Sequence, residues 1–469
     1  MTGGEHTIPS ALPWPRAVAL GAVVGLGLPL AVWAGWGLAL LTVFIAAAIA
    51  VTLVRGEPTD FFSPPLLFTV LWVLCAVIGA QIVSVEQSAW NTTVWVCVIG
   101  VPIAFLLGDL VGRIFTGTAG TRLPPFPRRV APWPLTPVIV GSSLWLLAAA
   151  AMSAYEFRYL SGGIPLLSES WERLRMIGGE GYVGRVIHAV AYSGPLLAIA
   201  LQVAILTQPR LLARRTLPLW LLWAMALILS ALWGSRHTLF IPAAAGVVSL
   251  HVLRWRLGLG RLALAALVGL TFLGGVQLLR QQSRWAEEEI PWTDVLEDIG
   301  YGGWPTVAAQ IHQTVAMNFE IFRRLTETFP DQVPHTMGRF TFHWLHSLLP
   351  GEQPTLAEWQ NRHWNTGFYG SLTSTHMGTL YADFGVGGVM MWTLLFAVLM
   401  RCLYDSLRRG PTGVKAVWFS YFTVQMIFMP YDNTLVKLAM VLAILILWLG
   451  LLAMGAHRPL ELTRAGSSG

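Results

Sequence analysis

Apolar runs long enough to cross a bilayer recur along this chain and leave little choice of architecture. A helix needs ~17–25 apolar residues to span the hydrocarbon layer. Twelve segments qualify: 17–34, 37–54, 66–84, 92–110, 137–155, 186–206, 217–233, 237–253, 262–279, 386–404, 413–430 and 434–454. In hydrocarbon the backbone must satisfy its own hydrogen bonds, so such runs fold as helices. The spacing predicts an all-α, polytopic membrane protein of about 12 transmembrane helices, residues 1–469 forming a single polytopic membrane domain. The stretch 217–253 also fits one re-entrant hairpin. Charged residues are 12% of the chain, half the ~25% of a soluble domain. The N-terminal MTGGEHTIPSALPWPR has no basic start or cleavage site, so the first apolar run is expected to be a retained span. Cys75, Cys97 and Cys402 all fall inside apolar runs, with no CxxC pair.

Basic residues cluster in alternate loops: Arg113, Arg122, Arg128 and Arg129; Arg210, Arg214 and Arg215; Arg254, Arg256 and Arg261; Arg401, Arg408, Arg409 and Lys415. With Arg16, Arg55, Arg458 and Arg464 this face holds 18 of the 30 basic residues. Positive loops stay in the cytoplasm, which puts both termini there. The net charge of +6 is explained by these loops. No nucleic-acid motif accompanies it, and no nucleic-acid partner is expected.

Two polar loops then face outward: a smaller one, 156–185, and a large one, 280–385. Loops of this length are usually functional. The large one carries six tryptophans, and Val307, Ile311, Val315, Phe319, Phe322 and Leu325 follow helical spacing. Span interiors hold almost no charge, whereas ion-coupled transport calls for ion-binding groups at mid-membrane. A transporter or flippase of lipid-linked sugars is therefore disfavoured.

Polar chemistry gathers on the outer side. Arg236 lies in WGSRH (233–237), between two spans, and Arg280 and Arg284 lie in LLRQQSR (278–284). Positive charge here runs against the orientation rule. Snorkelling of single side chains is the plain explanation; a diphosphate clamp is the functional one, since guanidinium makes paired hydrogen bonds to phosphate oxygens. Glycosyl transfer outside the cell draws on lipid-linked donors, whose leaving group is a lipid diphosphate. In SLTSTHMGTLYADFGVGG (371–388), His376 and Asp383 are candidate bases for an acceptor hydroxyl. They stand about two helical turns apart. Thr373, Ser374, Thr375 and Tyr381 offer hydroxyls to a sugar, and Asp383 could instead cap the span. His343 and His346, with His335 and His363 nearby, match no metal motif. No metal and no cofactor is expected.

THMGTLYADFGVGGVMM (375–391) resembles the start of a late span in bacterial oligosaccharide repeat-unit polymerases, the Wzy-type O-antigen and exopolysaccharide polymerases. ALWGSRHTLF (231–240) resembles their Gly-Ser-Arg turn, and Arg173 with Gly184 in RLRMIGGEGYVG (173–184) fits a pattern of the family. The resemblance implies a metal-independent, inverting transfer on the outer face of the bacterial inner membrane. The growing chain passes from undecaprenyl diphosphate to the next lipid-linked unit. Arg236 and Arg280 would bind diphosphate, helped by Arg158, Arg284 and Arg173, with Tyr381 on the sugar and His376 or Asp383 as base. Partners implied are undecaprenyl-diphosphate-linked oligosaccharide, membrane lipids, and chain-length regulator and flippase proteins. An O-antigen ligase-like transferase is the alternative, sharing donor and architecture. A lipid-phosphate-sugar transferase would need an acid in the first outer loop, and WAGWG (33–37) has none.

Overall fold

The computed structural model describes residues 60, 62–119, 130–159, 163–164, 181–233, 236–258, 260–262, 264–265, 268–269, 271, 292–346, 354–364, 373–432 and 438–456. Most of these residues are helical. Extended pairing among them is limited to one bridge, Thr375 with Asp432.

Twelve helices matter here: α1 Pro64–Gly79, α2 Thr92–Phe115, α3 Leu135–Tyr159, α4 Gly181–Ala191, α5 Gly194–Thr207, α6 Leu217–Leu232, α7 Arg236–Leu253, α8 Thr306–Thr328, α9 Leu356–Trp364, α10 Met377–Arg409, α11 Gly413–Phe428 and α12 Leu438–Ala453. Of the expected spans, 17–34 and 37–54 lie outside the described residues, and 262–279 does so for the most part. Each of the other nine coincides with a helix or helix pair. Five helices are long and apolar enough to cross a membrane: Thr92–Phe115, Leu135–Tyr159, Val186–Thr207, Arg214–Leu232 and Met377–Arg409. Pro64–Gly79, His237–Leu253 and Val441–Ala453 are shorter apolar helices. Leu217, Leu221, Met225 and Ile228 form an exposed apolar stripe on α6, as do Met391, Leu395 and Leu399 on α10. Apolar stripes of this kind suit lipid contact, and the chain is a helical membrane protein.

Two packing devices position everything else. α5 is the central post: all its residues but Gln202 are buried, among α3, α6, α7, α11 and α12. α2 and α10 run side by side in the same direction, with Gly100 against Met390, Gly108 against Leu394 and Ala397, and Gly112 against Arg401. A Cβ on Gly108 would meet that of Ala397 at 2.7 Å, and one on Gly112 would meet that of Arg401 at 2.7 Å. Small residues four apart let helix backbones approach closely, which is how helices associate where lipid offers no hydrophobic drive.

α8 forms where the periodicity places a helix. Phe319, Phe322 and Leu325 are buried on it, and it packs against α1, α2 and α10. Phe319 sits between Trp72 of α1, at 5.9 Å, and Trp90, at 5.2 Å.

The α2–α10 pair ends in a buried charge cluster. Arg113 Nε donates to Asp109 at 2.9 Å, Arg401 Nη2 reaches Asp405 at 2.7 Å, and Arg401 Nη1 lies 3.6 Å from Asp109. The hydroxyls of Thr116 and Thr118 each donate to Asp405 at 2.6 Å. Asp60 adjoins, accepting from the Tyr404 hydroxyl and from Phe62 N–H, with His251 at 3.3 Å. Arg401 and Asp405 are fully buried. Asp109 and Arg401 thus lie inside the bundle at its end, paired.

Candidate functional site

The opposite end of the bundle holds His376, Tyr381 and Asp383 of the residues singled out by sequence. α10 does not run straight. Gly385 adopts φ 64°, ψ −157°, which breaks the helix eight residues in. This left-handed conformation favours glycine, and His335 lies against it: a Cβ there would meet His335 Nε2 at 3.2 Å. The break is filled by the segment 335–341. Thr336 N–H donates to the Ala382 carbonyl and Met337 N–H to that of Asp383, each at 3.2 Å. Non-helical backbone at membrane depth requires such enclosure in protein.

Asp383 holds this insert in place. Its carboxylate accepts from Phe340 N–H at 3.0 Å, from Thr341 N–H and from the Thr336 hydroxyl. The side chain is fully buried. Asp383 does cap backbone N–H groups, but those of the 338–341 turn and not of its own helix. His376 is fully buried too. Nδ1 lies 3.2 Å from the Met429 carbonyl and Nε2 3.2 Å from the Thr393 hydroxyl, while Trp72 meets the ring edge-on at 5.0 Å. The two candidate bases therefore have separate partners, and each ties α10 to its neighbours. Tyr381 is likewise buried, its hydroxyl donating to the Phe329 carbonyl at 3.2 Å. Thr373 donates to Asn318, and the Thr375 hydroxyl accepts from Met377 N–H at 3.1 Å. Thr375 has φ 53°, a strained state for a β-branched residue. It is held by its bridge to Asp432 and by His376 N–H donating to Met429 at 2.8 Å.

Around this core the ends of other helices converge. The loop after α11 carries Asp432, and His237 at the start of α7 contacts Phe428 at 5.0 Å and Tyr431 at 5.4 Å. Arg236, one residue earlier, opens α7. Trp233 caps α6 and packs on Phe157 of α3 and Tyr192 after α4. Glu156, near the end of α3, is buried and its Oε2 lies 3.0 Å from His188 Nδ1 on α4. Neither Glu156 nor His188 was singled out by sequence.

Among the arginines, Arg158 is exposed on the last turn of α3. Arg173, Arg280 and Arg284 lie outside the described residues. Arg323 and Arg324, on α8, are already paired with Glu320 at 2.9 Å and 3.1 Å. The hydrogen bonds that Arg323 donates to Glu320 raise its pKa further, against the opposing effect of partial burial. Arg339 and Arg362 are exposed. Among the described residues no three His, Cys, Asp or Glu side chains come together as a metal site.

Searches against protein-family models, curated proteins and solved structures found no match for this chain. The helices and their lipid-suited faces define a helical membrane protein, and any assignment of activity rests on the site itself.

Proposed function

We infer that this protein is an integral-membrane glycosyltransferase that polymerises lipid diphosphate-linked oligosaccharide units. It lies in the bacterial inner membrane with about 12 spans, both termini cytoplasmic, and the helix ends around Arg236 facing outward. The observation that carries this is the convergence of polar and aromatic groups at one end of the bundle. Trp233, Glu156 and His188, His237 with Tyr431, and the insert around Asp383 come from six elements. Among the described residues the opposite end pairs its buried charges with one another.

Arg236 stands at the N-terminus of α7, where the helix dipole also favours an anion. Together with Arg158 and the outer-loop Arg280, Arg284 and Arg173 it supplies the cations for the donor diphosphate. As the anomeric bond breaks, charge grows on that diphosphate, and fixed guanidinium groups stabilise it without reorganising. Asp383, His376 and Tyr381 hold the broken helix and its insert, and so set the floor of the site. Undecaprenyl-diphosphate-linked units are the donor and acceptor. Chain-length regulator and flippase proteins are the partners such an activity calls for.

The test mixes purified full-length protein with lipid diphosphate-linked repeat units, without nucleotide or metal. A ladder of chain lengths is expected, and Arg236→Ala removes it without changing the melting of the protein. A ladder undiminished by Arg236→Ala and by Arg280→Ala would sink the diphosphate clamp.

A further inference from the structure

Glu156 is only 1% exposed, and burying a carboxylate is costly unless a partner offsets the loss of water. One partner is His188, with Nδ1 at 3.0 Å from Oε2. Arg158 stands two residues further on and is exposed. The imidazole side chain is 33% exposed against 2% for the carboxylate. Trp233 meets the ring edge-on at 5.4 Å, and Tyr192 stacks along it at 5.6 Å. Among the described residues no protein group is bonded to Nε2. The local fold is built to hold this pair. α4 stops at Ala191, and the break before α5 is sealed from α3 by Ser153 Oγ donating to the Ala191 carbonyl at 3.1 Å and Trp145 Nε1 donating to Ser193 at 2.9 Å. That seal sets His188 against Glu156, beside Trp233 at the end of α6.

We propose that Glu156 and His188 form the dyad that activates the acceptor sugar hydroxyl, an assignment that rests on the transferase function above. The carboxylate holds the proton on Nδ1 and leaves Nε2 as the acceptor. Nε2 takes the proton of the acceptor hydroxyl while that oxygen's lone pair forms the new bond to the anomeric carbon of the donor. The anomeric carbon–oxygen bond to the lipid diphosphate breaks, and its electron pair leaves on the diphosphate oxygen. The imidazolium so formed is balanced by the Glu156 carboxylate until its proton passes to solvent or to the departing diphosphate. Trp233 and Tyr192 supply the aromatic walls against which a sugar ring packs. His188 is the catalytic base and Glu156 its positioning residue.

The test uses full-length protein with lipid diphosphate-linked repeat units. His188→Gln keeps a donor for Glu156 but has no group that takes a proton at neutral pH. Its kcat should fall about 100-fold or more, with KM and melting unchanged. His188→Gly should recover turnover when imidazole is added, which a purely structural histidine would not allow. Glu156→Asp should retain more activity than Glu156→Gln; if these buried-site variants fail to fold, the His188 variants decide alone. A His188→Gln protein that polymerises at the wild-type rate overturns the dyad and leaves the transferase function standing. Wild-type protein that joins no units overturns both.

Discussion

The two ends of the bundle handle charge in opposite ways. At the α2–α10 end, Asp109, Arg113, Arg401 and Asp405 are buried and ion-paired with one another, and two threonine hydroxyls donate to Asp405. At the other end the buried acids Asp383 and Glu156 have unlike partners. Asp383 is spent on backbone N–H groups, and Glu156 faces a half-open imidazole. Acids and cations that sit in one cluster make a lock. Acids set apart can hold a partner that is itself reachable, as Glu156 holds the one-third-exposed His188. The lesson is that a buried charge marks a working site only when its partner is itself accessible.

The sharpest way to break this comparison is to remove Arg401. Arg401→Ala leaves Asp109 and Asp405 buried without their shared cation, and losing one member of such a pair costs about 3–5 kcal/mol. We expect a large fall in the melting temperature of the detergent-purified protein. Arg158→Ala, by contrast, should leave melting unchanged, because an exposed side chain carries little of the fold. Equal losses in both variants would erase the distinction between lock and site.

Gly112→Leu attacks the same end through packing. Its side chain would enter the space of the Arg401 Cβ, and overpacking costs about 1–3 kcal/mol. Gly387, with no neighbour within 4 Å of an added Cβ, is the control; Gly387→Ala should be nearly silent in the same melting assay.

Asp383→Asn sharpens the other end. The amide keeps one carbonyl oxygen, yet its NH2 group cannot accept from Phe340 or Thr341 N–H. Leaving a buried donor unmet costs about 1–3 kcal/mol. We expect lower melting, and faster proteolysis within 335–341 as the insert loosens. Full stability with lost turnover would instead return Asp383 to the role of base.

The parts legible in sequence are those set by local periodicity. The apolar runs mark nine of the described helices or helix pairs, and the spacing from Val307 to Leu325 places α8. The glycines after Asp383 hint at a break, but only the fold selects Gly385 over Gly387 and Gly388 as the one with positive φ. Pairings between distant segments have no such signature. Asp383 and Phe340 are 43 residues apart, and Glu156 and His188 are 32 apart across an unpatterned loop. Asp109 and Arg401 come from helices at opposite ends of the chain, so sequence shows two charges near span ends and not one pair. A clue to Glu156 was present: it is an acid at the end of an apolar run, where a lone carboxylate needs a reason.

The smallest effect expected concerns Asp60, which precedes α1 at the locked end. Burial alone would raise its pKa; the hydrogen bonds from His251 and Tyr404 and the nearby charge of Arg408 outweigh that and lower it. A carboxyl whose folded pKa lies below its unfolded value, near 3.9, stabilises the fold above that unfolded value. The contribution fades as pH falls through the folded value, because the unfolded chain binds the proton more readily. Melting followed from neutral pH downward should therefore decline in the wild type below about pH 4, and Asp60→Asn should flatten that decline. At neutral pH the same variant should cost roughly 1 kcal/mol, the worth of one hydrogen bond. An unchanged acid limb in Asp60→Asn would mean that Asp60 stands outside the charge lock, leaving it to Asp109 and Asp405 among the described residues.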